Sequence, residues 1–578
     1  MVMDQTEDLS GKTGWIGLRR RSWLTAALVV LTASSLAACT GNSPQTTSTS
    51  GSNTPTGLNV AALSNTTPPA SGAIGTLDWD LFYEPTSVDP AHALDSTENE
   101  VVSNLCDALV RETPDFSLHP GLASYSNPSP TTWVYEIHPG VKFWDGTPLT
   151  ATDVAYSLNR NLDPKVGSYW SSAFQNVASI TATGSLEVTV KLSRPDELFN
   201  QNMALAAGAI SEKQFDEVHG KNVGTPSVGV MCSGPYKFVS WAPGNDLTVV
   251  KNGDYWDSSI QAKVSKIVFS FVGTDAVQTN ALTTGSLEGM YETPISGTKS
   301  LQSSAGKLYF GKSLTQYMIQ CITQSDKPND PINNVDVRQA LSLAINRGQV
   351  AKTIFNGTAA PPVSKAMFAN ADTYTYGQTE FAAAAKTLPS LDQNITQAKQ
   401  LVTKAGNPTT PIIVAYASDG PSYNGQFAQY LQSAANVVGL NIKLDPMTTA
   451  QFNNIGFDPK LTSQVDISLA YWFETVPDPV SWYQLFTPSS TGSLSVFNYG
   501  KYQNATVTKA IQDAVGTTNL NQRTADVITA QKQLMTDLPW IPVVDLPNRL
   551  YMGKGISGAP ASAVQSWYPW ATEIGATP

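Results

Sequence analysis

The stretch that decides the fold reads Thr132-Trp133-Val134-Tyr135-Glu136-Ile137-His138-Pro139-Gly140-Val141-Lys142-Phe143-Trp144-Asp145-Gly146-Thr147-Pro148-Leu149-Thr150-Ala151-Thr152-Asp153-Val154-Ala155-Tyr156-Ser157-Leu158-Asn159-Arg160. Trp133, Tyr135 and Ile137 alternate with other residues and predict one face of a strand. Pro139-Gly140 and Asp145-Gly146 are turn signals on either side of Val141 and Phe143. Thr150 followed three residues later by Asp153 predicts a capped helix start. Val154 and Leu158 then lie one turn apart on its inner face. Taken alone, this is a hairpin followed by a helix, and nothing in it is catalytic.

As a pattern it is far more specific. Gly140 to Val154, with the following Ser157-Leu158-Asn159-Arg160, resemble the signature of the extracellular solute-binding proteins of ABC importers, family 5, which handle oligopeptides, dipeptides and nickel chelates. Further segments resemble that family in its own order. They include Ser87-Val88-Asp89-Pro90, Gly234-Pro235-Tyr236-Lys237-Phe238 and Asp254-Tyr255-Trp256, then the helix-like run Asn333 to Arg347 and the aromatic run to Asp478-Pro479. Departures are Cys232-Ser233 for Gly-Thr, Glu288 for Asp and Asn346 for Asp. Strand and helix patterns alternate along the chain, which argues an α/β class. The resemblance implies a two-lobe clamp of the periplasmic-binding-protein type II kind with an accessory subdomain in the first lobe. Residues 73–117, 226–312 and 546–578 would form the core of lobe I, 118–225 the accessory subdomain and 313–545 lobe II. Hinge strands are expected near Lys312–Ile319 and Trp540–Val544.

Composition suits a soluble globular protein, 14% charged and 41% hydrophobic. The chain has 578 residues and a net charge of −11. Its first 38 residues hold four basic and three acidic side chains, a net of +1, so the remainder carries −12. An acidic body argues against a nucleic acid partner. Arg19-Arg20-Arg21, an apolar run from Trp23 to about Leu31 and Leu36-Ala37-Ala38-Cys39 read as a signal segment over 1–38 ending in a lipobox, with Cys39 as lipidation site. The apolar run is too short for a spanning helix of about 20 residues. Residues 39–72, rich in Ser, Thr, Asn, Gly and Pro, read as a disordered tether. The expected localisation is export, with a lipid anchor at the outer face of the cytoplasmic membrane.

Three other cysteines, Cys106, Cys232 and Cys321, leave at least one thiol free. The family threading brings Cys232 and Cys321 near the hinge, which makes a bridge between them one expectation; buried free thiols are the other. Catalytic motifs are absent: there is no G-x-S-x-G, H-E-x-x-H, P-loop or G-x-G-x-x-G. His92, His119, His138 and His219 are scattered, so neither a metal site nor a cofactor is expected, and an enzyme is not.

The resemblance also implies site residues. The loop after Asp89-Pro90 places Leu94, Asp95 and Ser96 against the ligand, and the aromatics after the signature helix are Tyr169 and Trp170. Main chain at Tyr471, Trp472 and Phe473 would contact the ligand; plain core aromatics are the alternative for Trp472 and Phe473. Peptide binders of the family place an Asp before the later Asp-Pro to pair with the ligand's amino group. Here Thr475 occupies that place, Glu474 is its neighbour and Asp478 begins the Asp-Pro pair. Either Glu474 takes the role or the ligand lacks a free amino end. The implied function is capture of a short peptide or peptide-like solute for delivery to ABC permease subunits, by a monomer held at the membrane. A peptide-sensing receptor, a binder of a metal chelate, haem or oligosaccharide, and a surface hydrolase are the alternatives.

Overall fold

The computed structural model describes residues 58–93, 95–324, 327, 329–367, 374–488, 492, 494–495 and 497–578. The signal segment, Cys39, the tether up to residue 57 and Leu94 lie outside the described residues.

The chain begins its sheet with β1 (Ile74–Asp80). A short hairpin, β2 (Val110–Glu112) and β3 (Leu118–Pro120), leads to a small sheet of β4 (Ala123–Ser129), β5 (Thr132–Ile137), β6 (Val177–Ala182) and β7 (Glu187–Leu192). The main sheet resumes with β8 (Tyr236–Ala242), β9 (Asp246–Lys251), β10 (Val264–Ser270), β11 (Gly289–Tyr291) and β12 (Lys307–Cys321). It continues with β13 (Ile412–Ala417), β14 (Ile442–Met447), β15 (Ile467–Phe473) and β16 (Trp540–Met552). Its ten strands run in the order β14-β13-β15-β12-β16-β11-β1-β10-β9-β8, and the small sheet is ordered β4-β5-β7-β6.

Two strands tie this sheet together. β12 has 15 residues and β16 has 13, against a usual strand of about 5–6. Lys307–Gly311 pair with Asn548–Met552, and Thr315–Gln320 pair with Trp540–Leu546. The register breaks between Gly311 and Thr315, where one half of the sheet gives way to the other. Gly311 is demanded by close approach: a Cβ there would lie 1.7 Å from the carbonyl oxygen of Ala561 in the crossing C-terminal segment.

The signature stretch folds as its pattern predicts. Tyr135 and Ile137 are buried, and Gly140 and Gly146 take the positive φ that their turns require. In α2 (Ala151–Arg160), which follows α1 (Ser96–Leu105), the Thr150 N–H and hydroxyl donate to the Asp153 carboxylate at 3.0 and 2.7 Å. Val154 and Leu158 are fully buried. Arg160 at the end of α2 forks onto Asp89, Nη1 to Oδ1 at 2.8 Å and Nη2 to Oδ2 at 2.6 Å, and reaches Asp216 at 3.1 Å. Burial pushes the Asp89 carboxyl up, but the His92 ring and the Arg160 guanidinium outweigh it and hold it at about 2.

Several expectations change. Helix α1 ends at Leu105, because Cys106 turns extended at φ −122° and Val110 enters β2. The cysteine pairing is Cys106–Cys232, with Cα atoms 5.0 Å apart, and not Cys232–Cys321. Cys321 ends β12 as a buried free thiol, and burial pushes it up to about 12. Residues 58–72 were expected as tether, yet they are laid onto the body. The Ser64 N–H donates to Phe310 O, the Thr67 hydroxyl donates to Ala559 O at 2.8 Å, and Gly72 bridges Ala576. Main-chain partners on β12 and the C-terminal segment offset the ordering entropy that composition alone would leave uncompensated.

The disulfide closes a separation of 126 residues. Cys106→Ala/Cys232→Ala should therefore unfold at lower denaturant, by about 2–5 kcal/mol. Guanidinium titrations with and without reductant check this: wild type should shift on reduction and the double variant should not.

Candidate functional site

A cavity of about 20 Å³, room for about one water, lies where the two halves of the sheet meet. One wall comes from Ser96 on α1, Glu112 and Phe116 of the β2–β3 hairpin, Glu292 after β11, and the C-terminal Gln565, Ser566 and Trp567. The facing wall comes from Leu314 and Thr315 at the register break of β12, and from Tyr471, Phe473, Glu474 and Thr475. Strand alternation explains the second wall: Tyr471 and Phe473 share one face of β15, and Trp472 points to the other. There Trp472 packs on Trp482, Phe497 and Trp540, with ring centroids 6.1, 5.2 and 5.3 Å away. Its side chain is core and takes no part in lining the cavity. On the β13 side, β15 pairs only at Ile467 and Ser468. The main chain from Leu469 to Phe473 has no partner strand on that edge among the described residues.

Ser96, Tyr471 and Glu292 form a polar string across the cavity. The Ser96 and Tyr471 hydroxyls are 3.3 Å apart, and the Tyr471 hydroxyl donates to Glu292 Oε1 at 3.2 Å. Glu292 holds φ +51°, an uncommon conformation for a side chain other than glycine. Such strain is concentrated at functional positions. Burial raises the Glu292 carboxyl, and the Arg549 guanidinium opposes the rise. Asp95 stands behind the string: its carboxylate caps α1 by accepting from the Ser96 N–H at 2.7 Å.

Glu474 is the most exceptional group. It is 5% exposed, and neither carboxylate oxygen has a hydrogen-bond partner. Burial, with Asp478 adding to it, raises its carboxyl well above the usual range. Glu112 is 2% exposed, its Oε1 also lacks a partner, and burial and then Asp115 push it up to about 8. Buried polar atoms are ordinarily paired, so unpaired carboxylate oxygens at a cavity mark a place built for something else to complete.

The remaining expected residues divide. Trp170 is buried one layer back: its indole donates to Pro90 O at 3.1 Å, and its ring meets that of Trp567 edge-on at 5.8 Å. Tyr169 is exposed beside His92, outside the cavity. Asp478 is corrected to a structural role. It pairs with Arg523 Nη2 at 2.6 Å, with side-chain exposures of 3% and 2%, and accepts from Tyr376 Oη, Gln201 Nε2 and the Val480 N–H. A carboxylate with this many donors has no capacity left for a ligand. Glu112, Glu292 and Trp567 were not expected, and no local pattern marks them.

A mixed α/β sheet threaded by two long strands, with a cavity at their crossing, is the architecture of the type II periplasmic binding proteins. The chain belongs to the bacterial extracellular solute-binding proteins, family 5, whose model of the middle region matches residues 117–493. It is 27% identical over 469 residues to the glutathione-binding protein GsiB of Pectobacterium atrosepticum, covering 79% of this chain and 86% of that one. In structure it is similar to the binding protein AgaA of A. tumefaciens R10 in complex with agropinic acid, with TM-score 0.75 and 20% identity over 86% of this chain and 98% of that one. It is similar also to DppA of Helicobacter pylori in complex with the peptide STSA, with TM-score 0.75 and 20% identity over 87% and 98%. No helix of the described residues is long and apolar enough to cross a membrane.

Removing one partner of the Asp478–Arg523 pair should leave a buried charge uncompensated. Arg523→Met is expected to destabilise the fold by about 3–5 kcal/mol. Asp478→Asn/Arg523→Met should recover part of that loss, read from chemical denaturation midpoints; a double variant no better than Arg523→Met would contradict a structural pair.

Proposed function

We propose that the protein captures short peptides or peptide-like solutes by closure of two lobes and delivers them to the permease of an ABC importer. The observation that carries this reading is Glu474, a buried carboxyl with no partner on the cavity wall. It stands beside Thr475, which occupies the place where peptide binders of the family put an amine-anchoring Asp. A charged amino end brought against Glu474 supplies the missing donors. The open edge of β15 offers main-chain groups for an extended ligand, in the manner of strand addition. Lobe I is assigned to 73–117, 226–312 and 546–578 with the accessory subdomain 118–225, and lobe II to 313–545. The register break at Gly311–Thr315 is where bending is cheapest, because the ladder is already interrupted there. The ligand enters with the lobes apart and is buried as they close. The protein acts as a monomer, without a cofactor.

Native mass spectrometry of protein purified from its own host should reveal a co-purified short peptide with a free amino end. A sugar, haem or metal chelate in that position would overturn the peptide reading. Glu474→Gln keeps the shape and removes the charge. A charge-assisted bond at a desolvated site is worth about 1.5–3 kcal/mol, so affinity should fall about ten- to hundredfold by calorimetry.

The same proposal places the body at the outer face of the cytoplasmic membrane by a lipid on Cys39, supported by Leu36-Ala37-Ala38-Cys39. Cys39→Ala should move the protein from the membrane fraction to the soluble one or the medium. Unchanged partitioning would contradict lipidation.

A further inference from the structure

Among the described residues, the charged side chains lining the cavity are Glu112, Glu292 and Glu474, with no Lys, Arg or His. The charged groups behind them are mostly of the same sign. Asp115 acts on Glu112, Asp478 on Glu474, and Asp95 on Glu292. A cation does act on Glu292: Arg549 on β16, which donates from Nε to Thr293 O at 2.9 Å. Glu292 is thus compensated by Arg549 and by the Tyr471 hydroxyl. Asp478 is neutralised by Arg523. Glu112 and Glu474 are left over: each is more than nine-tenths buried, each has an unpartnered carboxyl oxygen, and they stand on opposite walls.

We infer that the site selects solutes carrying two separate cationic groups, one for Glu474 and one for Glu112. Resting on the reading above, the first is the peptide's amino end and the second a basic side chain near it, as in a peptide beginning with Lys or Arg. A free polyamine offers the same chemistry. Two buried carboxylates without counter-charge are costly, so before binding each carboxyl keeps its proton. Binding a dication converts both to carboxylates, and each proton leaves to solvent as an ammonium or guanidinium takes its place. Ligand affinity therefore rises with pH through the range in which Glu112, held at about 8, would otherwise stay neutral.

Calorimetry on the wild-type protein with Lys-Ala-Ala, Ala-Ala-Ala and spermidine tests this. Lys-Ala-Ala should bind at least about tenfold tighter than Ala-Ala-Ala, and Glu112→Gln should erase that difference. At pH 6.5, titrations in buffers of different ionisation enthalpy should show about one to two protons released per Lys-Ala-Ala. Equal affinity of wild type for the two peptides would overturn the dication proposal and leave the peptide reading standing. Spermidine binding without peptide binding would uphold the dication proposal and overturn the peptide reading. Binding of none of the three, or binding of Lys-Ala-Ala without proton release, would overturn the proposal. The comparison of the two peptides on wild type does not depend on the variant folding.

Discussion

The antiparallel ladder of β12 on β16 is the constraint on which the molecule depends. It is the part of the main sheet that belongs to both halves: β11 joins it through Leu550–Met552, and β15 joins it through Thr315–Cys321. Without it neither cavity wall would face the other. The register break between Gly311 and Thr315 falls at the crossing, and the residues just beyond it, Leu314 and Thr315, line the cavity. Continuity of the strands and discontinuity of the ladder are thus both needed. The first holds the two halves of the sheet together, and the second spares the crossing point a full set of main-chain bonds.

Charge is handled differently in the scaffold and in the cavity. Asp89 meets Arg160 and His92, and Asp478 meets Arg523 and Tyr376, so these two buried carboxylates of the scaffold are surrounded by donors. Glu100 accepts from the Trp79 indole at 2.7 Å, and Glu98 accepts from the Thr86 N–H and hydroxyl. Against this background the bare oxygens of Glu112 and Glu474 stand out. Their neighbours give them neither cation nor enough donors, which is a poor arrangement for stability and a sensible one for a receptor.

Local chemistry was legible in the sequence where it is carried by residues close in the chain. The β5–α2 module, its capping residues and both turn glycines follow from spacing alone. Carry-over from the family brought Ser96, Glu474 and Thr475 to one cavity. It misplaced Asp478, because an aspartate before a proline at a helix start looks the same whether or not an arginine 45 residues later reaches it. Glu112, Glu292 and Trp567 were illegible for a related reason. They come from segments hundreds of residues apart, and only the non-local pairing of β11, β12 and β16 brings those segments together. The disulfide was misread because pairing depends on Cα separation, which spacing in sequence does not supply.

The Cys106–Cys232 bond also alters the topology of the chain. It joins the end of α1 to the segment before β8, so that the main body can be traced through sulfur without entering residues 107–231. The small β4-β5-β7-β6 sheet is thereby carried on a covalent bypass. When that sheet breathes or melts, the two chain ends that feed it stay pinned together, and the main sheet does not have to open with it. A local opening of the small sheet is thereby limited at its two chain ends, which the sulfur bond holds together.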